Sequence, residues 1–198
     1  CHENFRKEYS NEVLHHVKKK FSLPDQFILN VGTIESRKNL HAILHAVKIM
    51  KNDVPLVVVG KKTKYMNFVK IQLKKMKFDM SKVFFWHNVS IEELPSIYQL
   101  SSVFVYPSLF EGFGIPIIEA LSSGVPVIST IDGCFKEAGG PESIYIDPNN
   151  YEDLAHKIDL CLENESLRKK MKETGLEYVK KFDPKIISKD IMNVYQSF

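Results

Sequence analysis

Two glutamates, Glu111 and Glu119, lie eight positions apart with two glycines, Gly112 and Gly114, between them. Glycine at these positions bares the backbone, and the residues that follow have the pattern of a helix. Backbone N–H groups at the start of a helix, with the positive end of its dipole, can bind an anion. Two carboxylates can also serve as the acid and the nucleophile of a glycoside hydrolase. A plain glycine-rich turn between a strand and a helix would have the same sequence, so these residues alone leave several interpretations open.

A second group of charged residues, Arg37 and Lys38, comes just before a helix predicted for residues 39–51. Arginine forms forked hydrogen bonds to phosphate, and lysine supplies a mobile point charge. A neighbouring arginine and lysine are most often solvated surface residues. Phosphate binding becomes the better interpretation if the fold brings this pair beside the helix start near Gly114. The dinucleotide-binding fingerprint is excluded, because position 117 is isoleucine rather than glycine.

The rest of the chain alternates short apolar segments with amphipathic ones, which predicts alternating strands and helices. The predicted strands are 27–31, 55–59, 82–86, 103–106, 125–129 and 143–146, and they are nearly all apolar, as buried parallel strands should be. The predicted helices are 39–51, 66–77, 91–100 and 116–123, followed by a helical region at 151–197 that restarts at Asp183 and Pro184. This order predicts an α/β fold: a doubly wound, parallel, six-stranded Rossmann-like sheet with extra C-terminal helices.

The predicted strand order places the two charged segments together. A doubly wound sheet of this type usually has the order 3-2-1-4-5-6, and its ligands bind outside the carboxyl ends of strands 1 and 4. The loops that leave those two strands are 33–39 and 107–119. We therefore expect Arg37 and Lys38 to face the glycine-rich turn across one crevice.

The composition is that of an ordinary globular protein and excludes several other classes. The 198 residues are 44% hydrophobic and 26% charged, and the net charge of +3 does not suggest a nucleic-acid binder. Three widely spaced cysteines without a C-x-x-C pair predict neither a disulfide framework nor a zinc cluster, and they favour a reducing compartment. No membrane-spanning segment or signal peptide is visible, so we expect a cytoplasmic location. The missing initiator methionine suggests a piece of a longer chain.

Three segments, in this order along the chain, resemble the retaining glycosyltransferase group 1 family (family 4), which has the GT-B fold. Residues 31–39 resemble its phosphate loop, V-G-x-x-x-x-R-K-[GN], and residues 89–98 resemble the segment that seats the nucleotide base. The spacing from Glu111 to Glu119 matches its E-x7-E motif, within the longer pattern P-S-x-x-E-G-F-G-x-P-x-x-E-A at 107–120. The resemblance covers roughly residues 20–180.

The resemblance implies a role for each residue of the E-x7-E segment. Glu111 would contact the hydroxyl groups of the donor sugar, with the backbone amides of Gly112, Phe113 and Gly114 nearby. Glu119 would bind the ribose hydroxyls. Carboxylates suit these groups because charged acceptors form the stronger hydrogen bonds.

The resemblance also implies roles for the basic residues and for the base-binding segment. Lys38, with Arg37, would hold the diphosphate and stabilise the charge that builds on it as the bond to the sugar breaks. Many family members have arginine directly after the V-G pair, where this chain has Thr33, so either Arg37 would supply that charge or phosphate binding would be weaker. Val89 falls in the segment that seats the base. The family needs no metal and the chain has no D-x-D motif, so we expect no metal and no other cofactor.

The resemblance further implies the donor-binding, C-terminal half of a two-domain enzyme. Residues 1–24 would be an inter-domain lead-in, 25–182 the nucleotide-sugar-binding domain, and 183–198 a helix that packs back on an N-terminal domain. The donor would be a GDP- or UDP-linked sugar, with the R-K-N variant at 37–39 favouring mannose. The acceptor, a glycan or a lipid-linked glycan, would bind through the N-terminal domain. We therefore expect no transfer by this chain alone.

Two alternative functions stay open. A glycoside hydrolase would use Glu111 and Glu119 as acid and nucleophile, but it would leave Arg37 and Lys38 without a purpose. A non-catalytic nucleotide-binding module would keep the anion site and carry out no transfer. Binding of a nucleoside diphosphate counts against the first alternative, and transfer by the whole protein would exclude the second.

Two further features of the sequence suggest weaker hypotheses. His41 and His45 have the i, i+4 spacing of zinc ligands, but the sequence offers no third ligand and lacks the glutamate of an H-E-x-x-H motif. Residues 61–77 contain seven lysines and no acidic residue. Such a segment indicates either a solvated face or a peripheral contact with an anionic membrane, at its cytoplasmic face.

Overall fold

A parallel sheet forms the centre of the fold. The computed structural model describes residues 2–196, in which six strands pair in the order β3-β2-β1-β4-β5-β6, all of them parallel. The strands are β1 (Ile28–Val31), β2 (Leu56–Val59), β3 (Val83–Trp86), β4 (Val103–Tyr106), β5 (Val127–Thr130) and β6 (Ile144–Ile146). The predicted fold class and strand order are therefore confirmed.

Helices connect the strands and extend the chain at both ends. They are α1 (Asn11–Lys20), α2 (Leu40–Ile49), α3 (Tyr65–Lys75), α4 (Leu94–Leu100), α5 (Ile115–Ser122), α6 (Phe135–Gly139), α7 (Tyr151–Glu163), α8 (Glu165–Tyr178) and α9 (Pro184–Gln196). Short 3-10 turns cover Glu3–Arg6, Ser36–Lys38, Met80–Lys82 and Val179–Phe182. The predicted restart is confirmed, because α9 begins at Pro184 and the Asp183 carboxylate accepts a hydrogen bond from the Lys185 N–H at 2.8 Å. Residue 1 of the predicted lead-in and residues 197 and 198 of the predicted terminal helix lie outside the described residues.

Successive side chains along the strands enter two cores, one on each face of the sheet. On one face, Ile28 and Val58 pack with α2, α3 and α7, and on the other, Leu29 and Val57 pack with α1, α4 and α5. The central strands β1 and β4 are buried along their whole length. Because helices cover both faces, a ligand can reach the sheet at the edge where the strands end.

Residues 2–24, predicted as a lead-in, pack on the second of these faces. The Phe5 side chain is fully buried, and its ring centroid lies 5.7 Å from that of Tyr98. Val17 and Phe21 belong to the same core. This segment therefore adds to the apolar surface that the sheet domain buries.

The two central strands, β1 and β4, leave space between them at their carboxyl ends. Paired residues of β1 and β4 are Ile28 with Val103 and Leu29 with Phe104. At the next position of β1, the buried side-chain amide of Asn30 donates a hydrogen bond to a backbone carbonyl of β4 at 2.8 Å. The loops that follow β1 and β4 therefore leave the sheet side by side.

The loops after β1 and β2 approach each other closely. A Cβ atom on Gly60 would lie 1.8 Å from the carbonyl oxygen of Gly32, so this crossing requires glycine at position 60. Just beyond it, the Ile34 N–H donates to the Lys61 carbonyl at 3.0 Å. These contacts fix the first part of the 33–39 loop.

None of the helices in residues 2–196 is both long enough and apolar enough to cross a membrane. The most exposed apolar helix is α9, which follows directly after the Val179–Phe182 turn. Its side chains Ile187, Ile191 and Tyr195 are 42%, 51% and 74% exposed. What the helix packs against in a longer protein stays a prediction.

Candidate functional site

Glu111 lies at the centre of a cluster of polar side chains between the loops that follow β1 and β4. Its side chain is 10% exposed. The Oε1 atom accepts hydrogen bonds from Lys38 Nζ at 2.6 Å, Ser108 Oγ at 2.7 Å and the Tyr106 hydroxyl at 2.9 Å. It also forms an ion pair with Arg37 Nη1 at 2.7 Å. The Oε2 atom has no hydrogen-bond partner within residues 2–196. One oxygen is thus saturated, and the other is available to a ligand.

These donors control the protonation of Glu111. Burial by itself would raise the pKa of the carboxyl group, but hydrogen bonds from Lys38, Arg37, Ser108 and Tyr106 lower the pKa to about 2. The carboxylate is therefore ionised throughout the neutral range. It can accept hydrogen bonds and balance positive charge, but it cannot act as a proton donor near pH 7.

Lys38 is buried, and its ammonium group is held in place from two sides. The Nζ atom donates to the Tyr106 hydroxyl and to Glu111, and it lies 4.9 Å from the centre of the Tyr106 ring. Gly32, which lies beside the lysine stem, has φ +149°, a backbone conformation that favours glycine. The ammonium group therefore has a fixed position at the carboxyl end of β1.

Arg37 is the more accessible of the two cations. Its side chain is 43% exposed and pairs with Glu35 at 2.7 Å as well as with Glu111. The Nη1 atom also donates to the Phe110 carbonyl at 3.1 Å. The guanidinium group thus spans both loops and faces solvent, where an incoming anion could reach it.

Backbone contacts bind the two loops into one unit. The Arg37 carbonyl accepts from the Leu109 N–H at 2.8 Å and from the Ser108 hydroxyl at 2.9 Å. The Asn39 side-chain amide donates to the carbonyls of Pro107 at 3.2 Å and Pro148 at 2.8 Å. The site is therefore organised before any ligand arrives.

The glycine-rich turn 112–114 leads from this cluster into α5. Gly112 is exposed, and a Cβ atom there would meet no other atom within 4 Å. Gly114 has φ +94° at the N-terminus of α5, a conformation that favours glycine. The Phe113 ring packs edge-on against Phe182, with 5.5 Å between the ring centroids. The turn is therefore anchored at its aromatic side chain and open at Gly112.

Glu119 lies further along α5, in a more apolar environment. The hydroxyl of the fully buried Tyr98 donates to its Oε2 at 3.2 Å. Burial raises the pKa of Glu119 above its usual value, although the bond from Tyr98 acts in the opposite direction. The sequence placed Tyr98 in the base-binding segment, but its burial makes it a support for Glu119.

Two other predicted site residues lie outside the Glu111 cluster. Thr33 is half-buried and directly follows Gly32 at the start of the β1 loop. Val89 is half-buried and packs against the core on the α5 side of the sheet. Neither residue forms a salt bridge or a side-chain hydrogen bond with the cluster in the part of the chain that the structure describes.

The histidine pair on α2 is part of a separate contact. The Nε2 atoms of His41 and His45 lie 3.0 Å apart, so one ring donates to the other. The structure, as far as it describes the chain, contains no group of three or more His, Cys, Asp and Glu side chains that could hold a metal ion.

The chain is similar in sequence to a known protein family. The sequence model described as "Glycosyl transferases group 1" matches residues 13–178, which include the whole cluster. The chain belongs to the glycosyltransferase group 1 family. Because this is a family of glycosyltransferases, the glycoside hydrolase hypothesis is not supported.

Relatives within the glycosyltransferase group 1 family include bacterial mannosyltransferases. The O-antigen chain mannosyltransferase B of Escherichia coli is 31% identical over 185 residues, which are 91% of this chain and 48% of that protein. The serotype-specific mannosyltransferase WbdA of Escherichia coli is 29% identical over 180 residues, which are 88% of this chain and 22% of that protein. The chain thus spans only part of the length of these relatives.

Solved structures confirm the fold of this glycosyltransferase group 1 chain. HepE of Anabaena, solved with UDP, superposes with a TM-score of 0.89 at 18% identity and covers all of this chain and 56% of HepE. The C-terminal domain of LpcC from Francisella tularensis gives a TM-score of 0.76 at 23% identity, covering 91% of this chain and 97% of that domain. The architecture is therefore that of a GT-B glycosyltransferase domain.

Three residues that organise the site were assigned no role by the sequence analysis, although Asn39 and Ser108 lie within its motifs. Tyr106 and Ser108 hold the Glu111 carboxylate, and Asn39 ties three loops together. A tyrosine at the last position of a buried strand, on the edge where ligands bind, is the signal that could have identified Tyr106. Asn39 has φ 53°, a left-handed conformation that asparagine tolerates better than most residues.

Proposed function

We propose that this chain is the donor-binding half of a retaining glycosyltransferase that moves a sugar from a nucleotide-sugar to a glycan or a lipid-linked acceptor. The proposal rests on one observation: Lys38, Arg37 and Glu111 converge between the carboxyl ends of β1 and β4. Ligands of doubly wound sheets bind at this position. The mannosyltransferase relatives support a mannosyl donor, and the UDP complex of HepE supports a nucleoside diphosphate as the leaving group.

In this proposal Glu111 exchanges partners when the donor binds. In the free site it is the counterion of both cations. The diphosphate of a GDP- or UDP-linked sugar would compete with Glu111 for Lys38 and Arg37, since phosphate suits both an ammonium and a guanidinium group. The carboxylate, with Oε2 already open, would then accept hydrogen bonds from the sugar hydroxyls.

The cations also serve the chemical step. As the bond between sugar and phosphate breaks, negative charge grows on the leaving diphosphate. Lys38 and Arg37, held by the loop contacts, would stabilise that charge without rearranging. Because these side chains supply the positive charge, the proposal includes no metal and no other cofactor.

The remaining residues would position the nucleotide. The backbone amides of Gly112, Phe113 and Gly114 lie at the start of α5, where its dipole favours an anion. Glu119, one turn into α5 and supported by Tyr98, would bind the ribose hydroxyls. We place the base near Val89 and the phosphates near Thr33, which brings no charge of its own.

The decisive measurement is calorimetric binding of UDP, GDP and ADP, each compared with its nucleoside. Lys38→Ala should weaken diphosphate binding roughly 10- to 100-fold and leave nucleoside binding unchanged, because the ammonium group interacts only with phosphate. Arg37 still neutralises Glu111 in this variant, so we expect it to fold.

Lys169→Ala is the matched control, since Lys169 is an exposed lysine on α8, far along the chain from both loops. An equal loss for nucleoside and diphosphate would place Lys38 away from the phosphates. In the whole protein, transfer with retention of the anomeric configuration would exclude the non-catalytic module, and inversion would contradict the retaining mechanism.

A further inference from the structure

Helix α3 and the loop before it form a strongly basic surface, which we call the α3 surface (residues 61–77). This segment contains seven lysines and no acidic residue. Its buried side chains Met66, Val69 and Leu73 attach the helix to the sheet. None of the seven ammonium groups forms a salt bridge or a side-chain hydrogen bond with another described residue. The α3 surface therefore carries seven ammonium groups without an ion-pair partner among the described side chains.

The outward face of α3 combines this charge with two apolar side chains. Lys64, Phe68, Ile71 and Lys75 are spaced by four, three and four residues, which places them in one row along the helix. Phe68 is 42% exposed and Ile71 is 53% exposed, and they form the middle of the row with a lysine at each end. The row is therefore apolar in its middle and basic at both ends.

The Phe68 ring packs against two neighbouring rings and still leaves a large part of its surface in solvent. The rings of Tyr65 and Phe68 stack with 5.1 Å between their centroids, and the His41 ring on α2 lies 6.3 Å from Phe68. Phe68 and Ile71 remain 42% and 53% exposed in this arrangement. An apolar group that is held out in water gains free energy when a partner covers it.

We propose that the α3 surface docks on an anionic lipid bilayer. Phe68 and Ile71 would enter the boundary of the acyl chains, and the surrounding lysines would contact the acidic headgroups, with their stems lying along the interface. A bilayer offers both a negative surface and an apolar layer beneath it, and this combination matches the row. A nucleic-acid duplex would satisfy the lysines alone, through its phosphates.

Docking would also orient the candidate site. The loop before α3 contacts the β1 loop, because the Thr63 hydroxyl and the Ile34 carbonyl form a hydrogen bond and the Ile34 N–H donates to Lys61. The docked segment would thus be linked directly to the loop that carries Arg37 and Lys38. This inference stands independently of the proposed function, since the row exists whatever the site binds.

The test is flotation of this chain with vesicles of phosphatidylcholine alone and of phosphatidylcholine with phosphatidylglycerol. We expect the wild-type chain to float with the anionic vesicles and to remain in solution with the neutral ones. The double variants F68S/I71S and K64Q/K75Q should each lower the partition coefficient by about tenfold or more. All four side chains are at least partly exposed, so we expect both variants to fold, and thermal unfolding of each variant checks this.

Matched controls change the same residue types elsewhere on the surface. Leu160→Ser alters an apolar side chain on α7 that is 39% exposed, and K136Q/K169Q removes two exposed lysines outside the α3 surface. Both controls should bind anionic vesicles like the wild type. Equal loss in the controls would overturn the proposal, and so would full binding by F68S/I71S. Retention on polyglutamate or on duplex DNA without vesicle binding would also overturn it and assign the surface to a soluble polyanion.

Discussion

At the scale of single residues, the free site depends on Glu111. Its carboxylate neutralises the buried ammonium group of Lys38 and one side of the Arg37 guanidinium group. Without the carboxylate, the Lys38 ammonium would keep only the Tyr106 hydroxyl as a described partner. A buried cation that loses its counterion is strongly destabilising. Glu111 therefore has a structural role in addition to its proposed role in binding.

This role predicts a pH-dependent difference in stability between Glu111→Gln and the wild type. The pKa of Glu111 is about 2 in the folded chain, against a usual value of 4.5. A carboxyl group whose pKa is lowered by folding stabilises the fold fully at pH values above its pKa in the unfolded chain. This stabilisation is lost as the pH falls toward its pKa in the folded chain. We expect the variant to unfold with a free energy roughly 2 to 4 kcal/mol lower at pH 7, and the gap to close between about pH 4.5 and 2.

The measurement is denaturant unfolding of both proteins across this pH range. Glu177→Gln is the matched control, because Glu177 pairs with Lys180 but its side chain is 72% exposed. That variant should stay within about 0.5 kcal/mol of the wild type at every pH. A gap for Glu111→Gln that stays constant with pH would show that the ion pairs are not its cause.

Residue types and spacing were enough to select the charged residues but not to predict their contacts. The E-x7-E segment and the Arg37-Lys38 pair could be predicted to share one crevice, since the strand order brings their loops together. The contact between Lys38 and Glu111 depends on the conformation of both loops. Loops are irregular, so no periodic pattern in the sequence predicts their conformation. The roles of Tyr106, Ser108 and Asn39 depend on that conformation as well.

At the scale of elements, the strands were predictable because burial on both faces makes their sequences nearly continuous apolar runs. The amphipathic period likewise identified α2, α3 and the other helices that cover the sheet. Helix α6 has only five residues, too few to show a period, so the sequence does not predict it. Its position beside α5 was therefore available only from the structure.

Two glycines in loops at the carboxyl ends of the strands, Gly60 and Gly112, should respond unequally to the same substitution. Gly60→Ala would place a Cβ atom 1.8 Å from a backbone oxygen, so the loops after β1 and β2 would have to move apart. We expect a loss of about 3 kcal/mol or more in unfolding free energy. Gly112→Ala meets no atom within 4 Å and should change stability by less than about 1 kcal/mol.

Chemical denaturation of both variants tests this expectation directly, and each variant is the control for the other. Gly112→Ala should also weaken binding of the nucleoside diphosphate, because the added methyl group would lie in the open space before α5. Equal stabilities of the two variants would show that the β1 and β2 loops do not cross as described.

At the scale of the whole molecule, the two ends of the chain should contribute unequally to stability. Phe5 is fully buried in the core beside Tyr98. The apolar side chains of α9 are mostly exposed, and the helix contacts chiefly the preceding Val179–Phe182 turn. The N-terminal segment is therefore integral to the sheet domain, whereas α9 adds little to it.

We expect removal of residues 184–198 to change the thermal unfolding midpoint by less than about 3 °C. Removal of residues 1–6 is the matched comparison, and it should lower the midpoint by at least about 6 °C, because it empties the space that Phe5 fills. Scanning calorimetry of the two shortened chains measures both values. A larger loss for the C-terminal removal would contradict this ranking.

The ring contact between Phe113 and Phe182 has a mechanical consequence. Phe182 is two residues before the start of α9, and Arg6 fixes its neighbourhood by pairing with Asp183 and donating to the Phe182 carbonyl. The start of α9 is thus coupled to the glycine-rich turn through the Phe113–Phe182 contact. We expect a ligand bound at the turn to change the tilt of the terminal helix, which a distance probe on α9 would detect.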